Sequence, residues 1–334
     1  MQGYDLIGDV HGCGNTLRRL LSMLGYNRAT GSWRHPRGRK VIFVGDILDR
    51  GPRIRQALLD VYDMMEAGNA FMVLGNHEYN ALAYCNTNEL GEPLRSHTPR
   101  HTRVMQETLE QFDPYPKEWQ GLLDWFFTLP LALELENLRV VHACWDVKIM
   151  LQFLAKNPTA QMDLDFLRAS VKPGTKEFKL VDRCTRGTWL RLPKGQLQRS
   201  KDGFVRDRFR TAYWLKNPKT WGDVRFQPDR LNPEIEAMRL STKDKSHLVY
   251  YPPEERPLFF GHYWRKGLPE ILRSNLTCLD YSAVKYGRLV AYRFNGERRL
   301  NTKNFMWVKV DASEHPPKEQ LRAQQQAEHL PNYK

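Results

Sequence analysis

Residues 41–52 read Val41-Ile42-Phe43-Val44-Gly45-Asp46-Ile47-Leu48-Asp49-Arg50-Gly51-Pro52. The four apolar residues at the start indicate a buried strand that ends at Gly45. Asp46, Asp49 and Arg50 then follow in one tight loop, where charged side chains have no packing role. One carboxylate could hold a metal ion, the other could orient a partner, and the arginine could bind an anion in a bidentate fork. On its own the loop is also compatible with a surface turn, so its interpretation depends on the rest of the chain.

Two other short strands end in polar residues in the same way. The strands predicted at residues 4–7 and 70–74 each stop at a glycine and are followed by candidate ligands and proton donors: Asp9, His11, Asn76, His77 and Glu78. Amphipathic helices, one capped by Asn15 and Thr16 and one opened by Pro52, separate the strands. Such strand–helix units are typical of an α/β protein with its site at the carboxyl ends of the strands. Of these residues, Glu78 is predicted to support a neighbouring loop.

Two histidines further along the chain also follow predicted strands. A hairpin at residues 131–135 and 138–141 ends in His142, and a strand at residues 258–260 leads to His262. Carboxylate, imidazole and amide groups without a thiolate suit manganese or iron better than structural zinc. We therefore predict a metal site built from six residues at strand ends: Asp9, His11, Asp46, Asn76, His142 and His262.

Other segments are predicted to have structural roles. His97 and His101 lie in a polar loop at residues 86–102, and Pro99 between them argues against a helix that could pair them on a metal. A rim or surface role is the favoured interpretation for both histidines. Antiparallel pairing that completes a second sheet is expected for the strands at residues 276–279, 288–294 and 305–310.

The chain has 334 residues and a net charge of +13, much of it in one segment. Residues 176–230 contain 15 lysines and arginines against 6 acidic residues, with aromatic residues between them. Such a surface favours anionic partners, although solubility alone explains it as well. We predict a single domain over residues 1–310 with a basic insertion, or cap, at about residues 146–253. Residues 311–334 are predicted to form an exposed or disordered tail.

The composition also bears on the compartment. The five cysteines are scattered, odd in number and without a CxxC pair, which favours free thiols in a reducing cytoplasm. No window reaches the roughly 20 apolar residues that a membrane span requires. The first residues lead almost directly into a strand and lack the pattern of a signal peptide. We therefore predict a cytoplasmic protein with no membrane partner.

The motifs GDVHG (residues 8–12), GDILDRG (45–51) and GNHE (75–78), followed by VHA (141–143) and GH (261–262), resemble the phosphoprotein-phosphatase branch of the calcineurin-like metallophosphoesterases. The resemblance runs from Tyr4 to about Phe294. Among the members, the chain is most similar to small bacterial serine/threonine phosphatases, dinucleoside-tetraphosphate hydrolases and the phosphatase module of polynucleotide kinase-phosphatases. The resemblance implies an α/β fold (α+β in some schemes) of two mixed β-sheets packed as a sandwich, flanked by helices.

The resemblance also implies two divalent metal ions, with Mn²⁺ expected and Fe, Zn, Ni or Co as alternatives. The ligands of the first ion would be Asp9, His11 and Asp46. Those of the second would be Asp46, Asn76, His142 and His262, which makes Asp46 the bridge. Two ions about 3.5–4 Å apart can activate a hydroxide and clamp both ends of an in-line displacement, so no protein nucleophile is required.

Three residues would act on the substrate according to the same resemblance. Arg50 would hold the phosphoryl oxygens, and His77, oriented by Asp49, would protonate the leaving group. The residues expected to bind the substrate are Arg50, Asn76 and, as candidates for a second phosphate-binding arginine, Arg183 and Arg186.

The predicted partner is an anionic phosphorylated substrate. Our leading prediction is a phosphomonoesterase that acts on phosphoproteins, at Ser/Thr or Tyr, or on similar esters by direct attack of metal-activated hydroxide. The alternative is hydrolysis of dinucleoside polyphosphates or of phosphorylated nucleic-acid ends, which the basic, aromatic-rich segment favours. A non-catalytic phosphate-binding module is a third interpretation, and the complete set of expected ligands argues against it.

Overall fold

The computed structural model describes residues 3–193, 195–199, 205–226 and 231–314. These residues form two compact units. One unit consists of the described parts of residues 1–186 and 253–315, and the other of the described parts of residues 187–252.

The strands and helices are as follows. The strands are β1 (Tyr4–Ile7), β2 (Asn27–Thr30), β3 (Ser32–Arg34), β4 (Lys40–Phe43), β5 (Ala70–Met72), β6 (Ala132–Glu134), β7 (Arg139–Val141), β8 (Thr188–Arg191), β9 (Gln198–Arg199), β10 (Val205–Arg206), β11 (Arg208–Thr211), β12 (Leu258–Phe260), β13 (Leu276–Cys278), β14 (Asp280–Tyr281), β15 (Arg288–Phe294) and β16 (Phe305–Lys309). The helices are α1 (Gly14–Met23), α2 (Ile54–Glu66), α3 (Asn76–Cys85), α4 (Pro99–Phe112), α5 (Pro116–Thr128), α6 (Val147–Leu154), α7 (Leu164–Ser170), α8 (Lys176–Arg186), α9 (Trp221–Val224), α10 (Pro233–Ala237) and α11 (Thr242–His247). Short 3₁₀ turns lie at Ala283–Lys285, Thr302–Asn304 and Ala312–Glu314.

The larger sheet of the first unit contains the three parallel strands that the sequence predicts. β1 pairs in parallel with β4, with Leu6 opposite Ile42, and β4 pairs in parallel with β5. β15 runs antiparallel to β1 and also pairs with β14 and β16. The loops after β1, β4 and β5 therefore leave the sheet at one edge, because parallel strands have their carboxyl ends on the same side.

The second sheet of this unit has the strand order β13-β12-β7-β6. β6 and β7 form the predicted antiparallel hairpin, and β12 runs parallel to β7, so the loops after β7 and β12 also leave at one edge. The prediction for the last strands is wrong in two respects. β13 is parallel to its neighbour β12, and β15 and β16 belong to the first sheet. The reason is that alternation of apolar residues indicates a strand but does not specify its partner.

The two sheets pack face to face through one apolar cluster. Side chains of a strand alternate between its two faces, so every second residue enters the cluster. The first sheet contributes Leu6, Ile42, Val290 and Tyr292, and the second contributes Val140 and Phe259, all fully buried. Full burial of such a side chain stabilises the fold by about 1.5–3 kcal/mol. Helices α1 and α2 contact the first sheet. The architecture confirms the predicted α/β sandwich of two mixed sheets flanked by helices.

Helix α4 corrects one boundary. It begins at Pro99, so the prediction of a loop over residues 86–102 is wrong for the last four residues. Proline is well accommodated in the first turn of a helix, where its missing N–H has no intrahelical partner, and Thr98 accepts a hydrogen bond from His101 N as the cap. His97 stacks on Tyr84 with ring centroids 3.8 Å apart. Neither histidine joins the candidate metal ligands.

The predicted tail begins with an ordered turn. Glu314 is only 4% exposed, and its carboxylate accepts hydrogen bonds from Asn15 N at 2.6 Å and Thr16 N at 3.0 Å. These groups belong to the first turn of α1, whose N–H groups have no partner within the helix. Two predictions are therefore corrected: α1 is capped by Glu314 rather than by Asn15 and Thr16, and Glu314 is not exposed. Residues 315–334 lie outside the described residues.

The second unit has a small core of its own. β8 pairs antiparallel with β11, and β9 with β10. Leu190, Phe209, Trp221 and Val224 are members of one buried apolar cluster.

All five cysteines of the chain are free thiols, as predicted. In the part of the chain that the structure describes, no helix combines the length and the apolar character that a membrane crossing requires.

Candidate metal and active site

The predicted ligands lie on the loops that follow β1, β4, β5, β7 and β12. In these loops the structure places two groups of side chains, each with candidate ligand atoms within 4.8 Å of one another. One group is His11, Asp46 and His77, and the other is Asp46, His142 and His262, so Asp46 is shared. The predicted ligand Asp9 belongs to neither group, and His77, which is predicted to be the proton donor, belongs to the first. Both sheets therefore contribute to one site.

Asp46 is the centre of the site. Its Oδ2 atom lies 3.3 Å from His142 Nε2, 3.6 Å from His11 Nε2 and 3.9 Å from His77 Nε2. Burial alone would raise the pKa of Asp46, but the imidazoles of His142, His77 and His11 outweigh it and hold that pKa well below its usual range. Asp46 is thus a buried carboxylate anion that requires positive charge nearby.

Backbone carbonyls behind the site orient two of the imidazoles. His142 Nδ1 lies 2.7 Å from the Val44 carbonyl, and His11 Nδ1 lies 3.0 Å from the Leu48 carbonyl. A carbonyl can only accept, so each Nδ1 carries a hydrogen and each Nε2 is directed at Asp46. Metal-binding histidines are commonly held in this way by a backbone carbonyl.

Asn76 lies among acceptor atoms of the site. With its amide nitrogen on that side, it donates to His262 Nδ1 at 2.6 Å, His142 Nε2 at 3.1 Å and Asp46 Oδ2 at 3.3 Å, and its oxygen accepts from His77 N at 3.2 Å. In the opposite orientation the amide oxygen faces the same three atoms, which is favourable when a cation is bound between them. Burial alone would lower the pKa of His142, but the negative charge of Asp46 raises it to about 10. A divalent cation at this point would compensate Asp46 in place of a proton on His142.

Asp9 and His262 meet at the other side of the site. His262 N donates to Asp9 Oδ2 at 3.1 Å. Gly261 approaches Asp9 so closely that a Cβ atom there would overlap the carboxylate oxygen Oδ1. Burial raises the pKa of Asp9 well above its usual range, and the negative charge of Asp280 acts in the same direction. A cation bound beside Asp9 would favour its ionised form.

Several candidate site residues have a strained backbone. The φ angle is positive at His11 (45°), Asp46 (55°), Asp49 (66°), Arg50 (71°) and His262 (59°). Among the described residues other than glycine, only four more have a positive φ, namely Ala160, Asn217, Ser282 and Tyr286. Each such residue costs about 1–3 kcal/mol, and strain of this kind tends to concentrate at functional sites.

Glu78 supports the loops as the sequence predicts. Its buried carboxylate accepts hydrogen bonds from Asp46 N at 2.9 Å, Ile47 N at 2.8 Å and Gly75 N at 3.0 Å. It thereby ties the loop after β4 to the loop after β5. Burial raises the pKa of Glu78 to about 7, with Asp46 acting in the same direction. Gly75 is needed because a Cβ atom there would overlap Asp46 Oδ1.

His77, Asp49 and Thr108 form a buried chain of hydrogen bonds. His77 Nδ1 donates to Asp49 Oδ2 at 2.5 Å, which directs His77 Nε2 at the site. Thr108 Oγ1 donates to Asp49 Oδ1 at 2.5 Å and accepts from Asp49 N at 3.2 Å. Sequence reasoning missed Thr108, which lies on α4. Its position within the helix carries no local signal of this contact.

The predicted arginines have different surroundings. Arg50 is exposed, and its Nη1 atom donates to His11 Nε2 at 3.0 Å. Arg183 Nε lies 3.5 Å from Asp146 Oδ2. Arg186 Nη2 donates to Asn80 Oδ1 at 2.9 Å, and Asn80 lies on α3 three residues after His77. The structure therefore attaches Arg186 to α3, and both arginines have an acidic neighbour, since Arg186 Nη1 lies 3.7 Å from Asp182 Oδ1.

The chain is similar to one known protein family and to several curated proteins. The profile of the calcineurin-like phosphoesterases matches residues 5–187. A protein of Geobacillus sp. (strain WCH70), named bis(5'-nucleosyl)-tetraphosphatase PrpE [asymmetrical], is 33% identical over 144 residues, which cover 42% of this chain and 55% of the relative. The protein of the same name from Halalkalibacterium halodurans is 46% identical over 74 residues, or 22% of this chain and 30% of the relative. At best, the chain spans about half the length of these relatives.

Solved structures also align with the chain, at low sequence identity. A protein serine/threonine phosphatase from Saccharomyces cerevisiae aligns over 94% of this chain and 81% of its own, with a TM-score of 0.45 and 15% identity. A metallophosphoesterase from Sphaerobacter thermophilus aligns over 99% and 95%, with a TM-score of 0.41 and 13% identity.

Proposed function

This chain belongs to the calcineurin-like phosphoesterase family and is a hydrolase of phosphoester bonds, and we propose that its substrates are dinucleoside polyphosphates. Asymmetrical cleavage of a tetraphosphate bridge would release a nucleoside triphosphate and a nucleoside monophosphate. The observation that carries the proposal is the name shared by the curated relatives, asymmetrical bis(5'-nucleosyl)-tetraphosphatase. It favours the alternative of the sequence analysis over our leading prediction of a phosphoprotein phosphatase.

The family generally uses two divalent metal ions, and the residues of the site fit such a pair. Asp9, His11 and Asp46 would hold one ion, and Asp46, Asn76, His142 and His262 the other. The fit is supported by the orientation of the imidazoles and by the buried anion Asp46. When bound, the ions neutralise phosphoryl oxygens and make water more acidic. The oxygen and nitrogen donors support Mn²⁺ as the metal.

His77 is the proposed proton donor to the leaving group. Its Nδ1–H is held by Asp49 at 2.5 Å, so a proton on Nε2 faces the site. Asp49 fixes the direction of the ring. In a dinucleoside tetraphosphate the leaving group is a nucleotide, and its departing oxygen would receive that proton.

The arginines would bind the phosphates. Arg50 is exposed beside His11, where its planar fork can grip two oxygens of the phosphoryl group. Asn76 would contact the same group. Arg186 is the stronger candidate for a second phosphate-binding arginine because it donates to Asn80, which lies one helical turn from His77. Either arginine would have to leave an acidic partner to bind an anion, Asp182 for Arg186 and Asp146 for Arg183.

The basic segment and the compartment belong to the proposal as well. We keep the predicted domain over residues 1–310, with an insertion at about residues 146–253. The insertion is supported by the end of the family match at residue 187 and by the compact unit over residues 187–252. Its positive charge would favour a polyanionic substrate. A cytoplasmic location is supported by five free thiols.

A panel of substrates tests the proposed function. The Mn²⁺-loaded chain is given diadenosine tetraphosphate, a phosphoserine peptide and a 5'-phosphorylated oligonucleotide at equal concentrations. We expect the highest kcat/KM for diadenosine tetraphosphate, with ATP and AMP as products by chromatography and no turnover by Asp46→Asn. A preference for the peptide would restore the phosphoprotein phosphatase, and ADP as the sole product would refute asymmetrical cleavage.

A further inference from the structure

Helix α3 carries positive charge along the face that begins at the site. His77 and Asn80 are three residues apart, so they lie on the same face of the helix. Asn80 holds the Arg186 guanidinium at 2.9 Å, and the guanidinium also lies over the Tyr79 ring, 5.3 Å from its centroid. Asn80 lies about 5 Å along the helix axis from His77, at 1.5 Å per residue. Arg186 is attached at this turn, and its Nη1 atom also lies 3.7 Å from Asp182 Oδ1.

A second arginine is fastened to the next turn of the same helix. Arg95 N donates to the Ala83 carbonyl at 2.8 Å, and the neighbouring His97 contacts the Tyr84 carbonyl through Nε2 at 2.9 Å. Because the backbone of residues 95–97 is held by α3, the position of Arg95 is set by the fold. Ala83 lies about 9 Å from His77 along the helix axis.

The charge of Arg95 is poorly compensated. The side chain is half-buried, and no ion pair of Arg95 occurs among the described residues. Burial lowers the pKa of Arg95 to about 10, and the charges of Arg186 and Arg100 act in the same direction. The carboxylate that opposes this effect is Asp49, which is already bound to His77 and Thr108.

Such an arrangement is unfavourable for the protein alone. A half-buried cation beside other cations raises the free energy of the folded state, because neither water nor a carboxylate fully compensates it. An anion bound between the guanidiniums would remove that repulsion and form charge-assisted hydrogen bonds. Clusters of this kind therefore indicate a binding site when they lie next to a catalytic group.

We propose that Arg95 and Arg186 form a second anion subsite, one to two turns along α3 from His77, that binds the phosphates of the substrate beyond the one under attack. The proposal rests on the proposed function, since a dinucleoside polyphosphate carries a row of charged phosphates. A phosphomonoester has a single phosphate, so it has no further phosphate that could reach Arg95. Arg95 would therefore favour substrates with several phosphates over those with one.

Substitution of Arg95 tests the subsite. Arg95→Met is compared with Arg103→Met, an exposed arginine on α4, for hydrolysis of diadenosine tetraphosphate and of p-nitrophenyl phosphate. A charge-assisted hydrogen bond contributes enough for a loss of about 10- to 100-fold. We expect Arg95→Met to lose at least about tenfold more kcat/KM on the tetraphosphate than on the monoester. Arg103→Met should match the wild type on both. Equal losses on the two substrates, or no loss on the tetraphosphate, would overturn the subsite.

Inorganic tripolyphosphate separates this proposal from the proposed function. It is used as an inhibitor of p-nitrophenyl phosphate hydrolysis, so the test does not require cleavage of a dinucleotide. We expect its inhibition constant to rise at least about tenfold in Arg95→Met and less in Arg95→Lys, which keeps the charge. Chelation of metal by tripolyphosphate affects all variants alike. An unchanged constant refutes the subsite even if diadenosine tetraphosphate is the substrate, whereas a raised constant supports it even if that nucleotide is not cleaved.

Discussion

Thr108→Val tests whether the proposed proton donor depends on the residue behind it. Thr108 is fully buried and donates to Asp49 Oδ1 at 2.5 Å, while Asp49 Oδ2 holds His77 Nδ1 at 2.5 Å. Valine has nearly the same volume as threonine, so the substitution removes the hydroxyl without opening a cavity. Water cannot replace the lost donor because the position is not accessible. Asp49 then loses one of the contacts that fix its orientation.

The size of the effect follows from the charge of the acceptor. A hydrogen bond to a charged group contributes about 1.5–3 kcal/mol, so Thr108→Val should lower the free energy of unfolding by roughly that amount. If the same loss appears in proton transfer, kcat falls about 10- to 100-fold, since 1.36 kcal/mol corresponds to tenfold. The fall should be large for diadenosine tetraphosphate. It should be small for p-nitrophenyl phosphate, whose acidic leaving group does not need a proton.

Thr102→Val on the same helix is the matched control. Its hydroxyl contacts Tyr84 Oη at 2.9 Å and does not reach the site. We expect Thr102→Val to lose some stability but to change kcat equally for both substrates. His77→Asn should lower kcat for diadenosine tetraphosphate more than Thr108→Val does, again with a smaller effect on p-nitrophenyl phosphate. Urea unfolding and steady-state kinetics give the two readouts. If Thr108→Val lowers kcat equally for both leaving groups, or not at all, the hydrogen-bonded chain does not support proton transfer.

Three further predictions concern the loops and the cap. Gly75→Ala should weaken Mn²⁺ binding at least about tenfold, because the new methyl group displaces Asp46. Gly121→Ala, whose methyl group points into open space, should bind Mn²⁺ normally, and normal binding by both variants would contradict the close approach of Gly75 to Asp46. Arg50→Gly should lower kcat/KM but raise the free energy of unfolding by about 1 kcal/mol, because glycine adopts the positive φ without strain. A lower free energy of unfolding in urea would show that the backbone of Arg50 is not strained. Glu314→Ala should lower the free energy of unfolding by about 0.5–2 kcal/mol because α1 loses its cap, and an unchanged urea midpoint would show that the cap is dispensable.

The sequence was sufficient to predict that several of the candidate ligands lie close together. Short apolar runs that stop at glycine mark the ends of β1, β4 and β5, and parallel pairing then brings Asp9, Asp46 and Asn76 to one edge. Each signal is local and lies within about five residues of its strand. The same alternation did not reveal that β15 joins β1, because pairing partners are determined by packing over the whole chain.

The supporting contacts could not be predicted for the same reason. Thr108 meets Asp49 across 59 positions of sequence, and Glu314 meets Asn15 across 299. No periodic pattern relates residues so far apart. The positive φ of Asp49 and Arg50 was also hidden, because only glycine signals that conformation in a sequence. Arg95 appeared as an ordinary residue of a polar loop until the backbone contact with Ala83 placed it beside α3.

Metal content is the measurement that tests the account most directly. The purified chain is loaded with Mn²⁺, freed of excess metal and analysed by mass spectrometry and electron paramagnetic resonance. We predict two ions per chain with a spin-coupled signal, because Asp46 lies between the two groups of ligands. His262→Asn should retain one ion, and Asp46→Asn should lose the coupling. A single ion in the wild type, or two coupled ions in Asp46→Asn, would contradict a bridged pair at these strand ends.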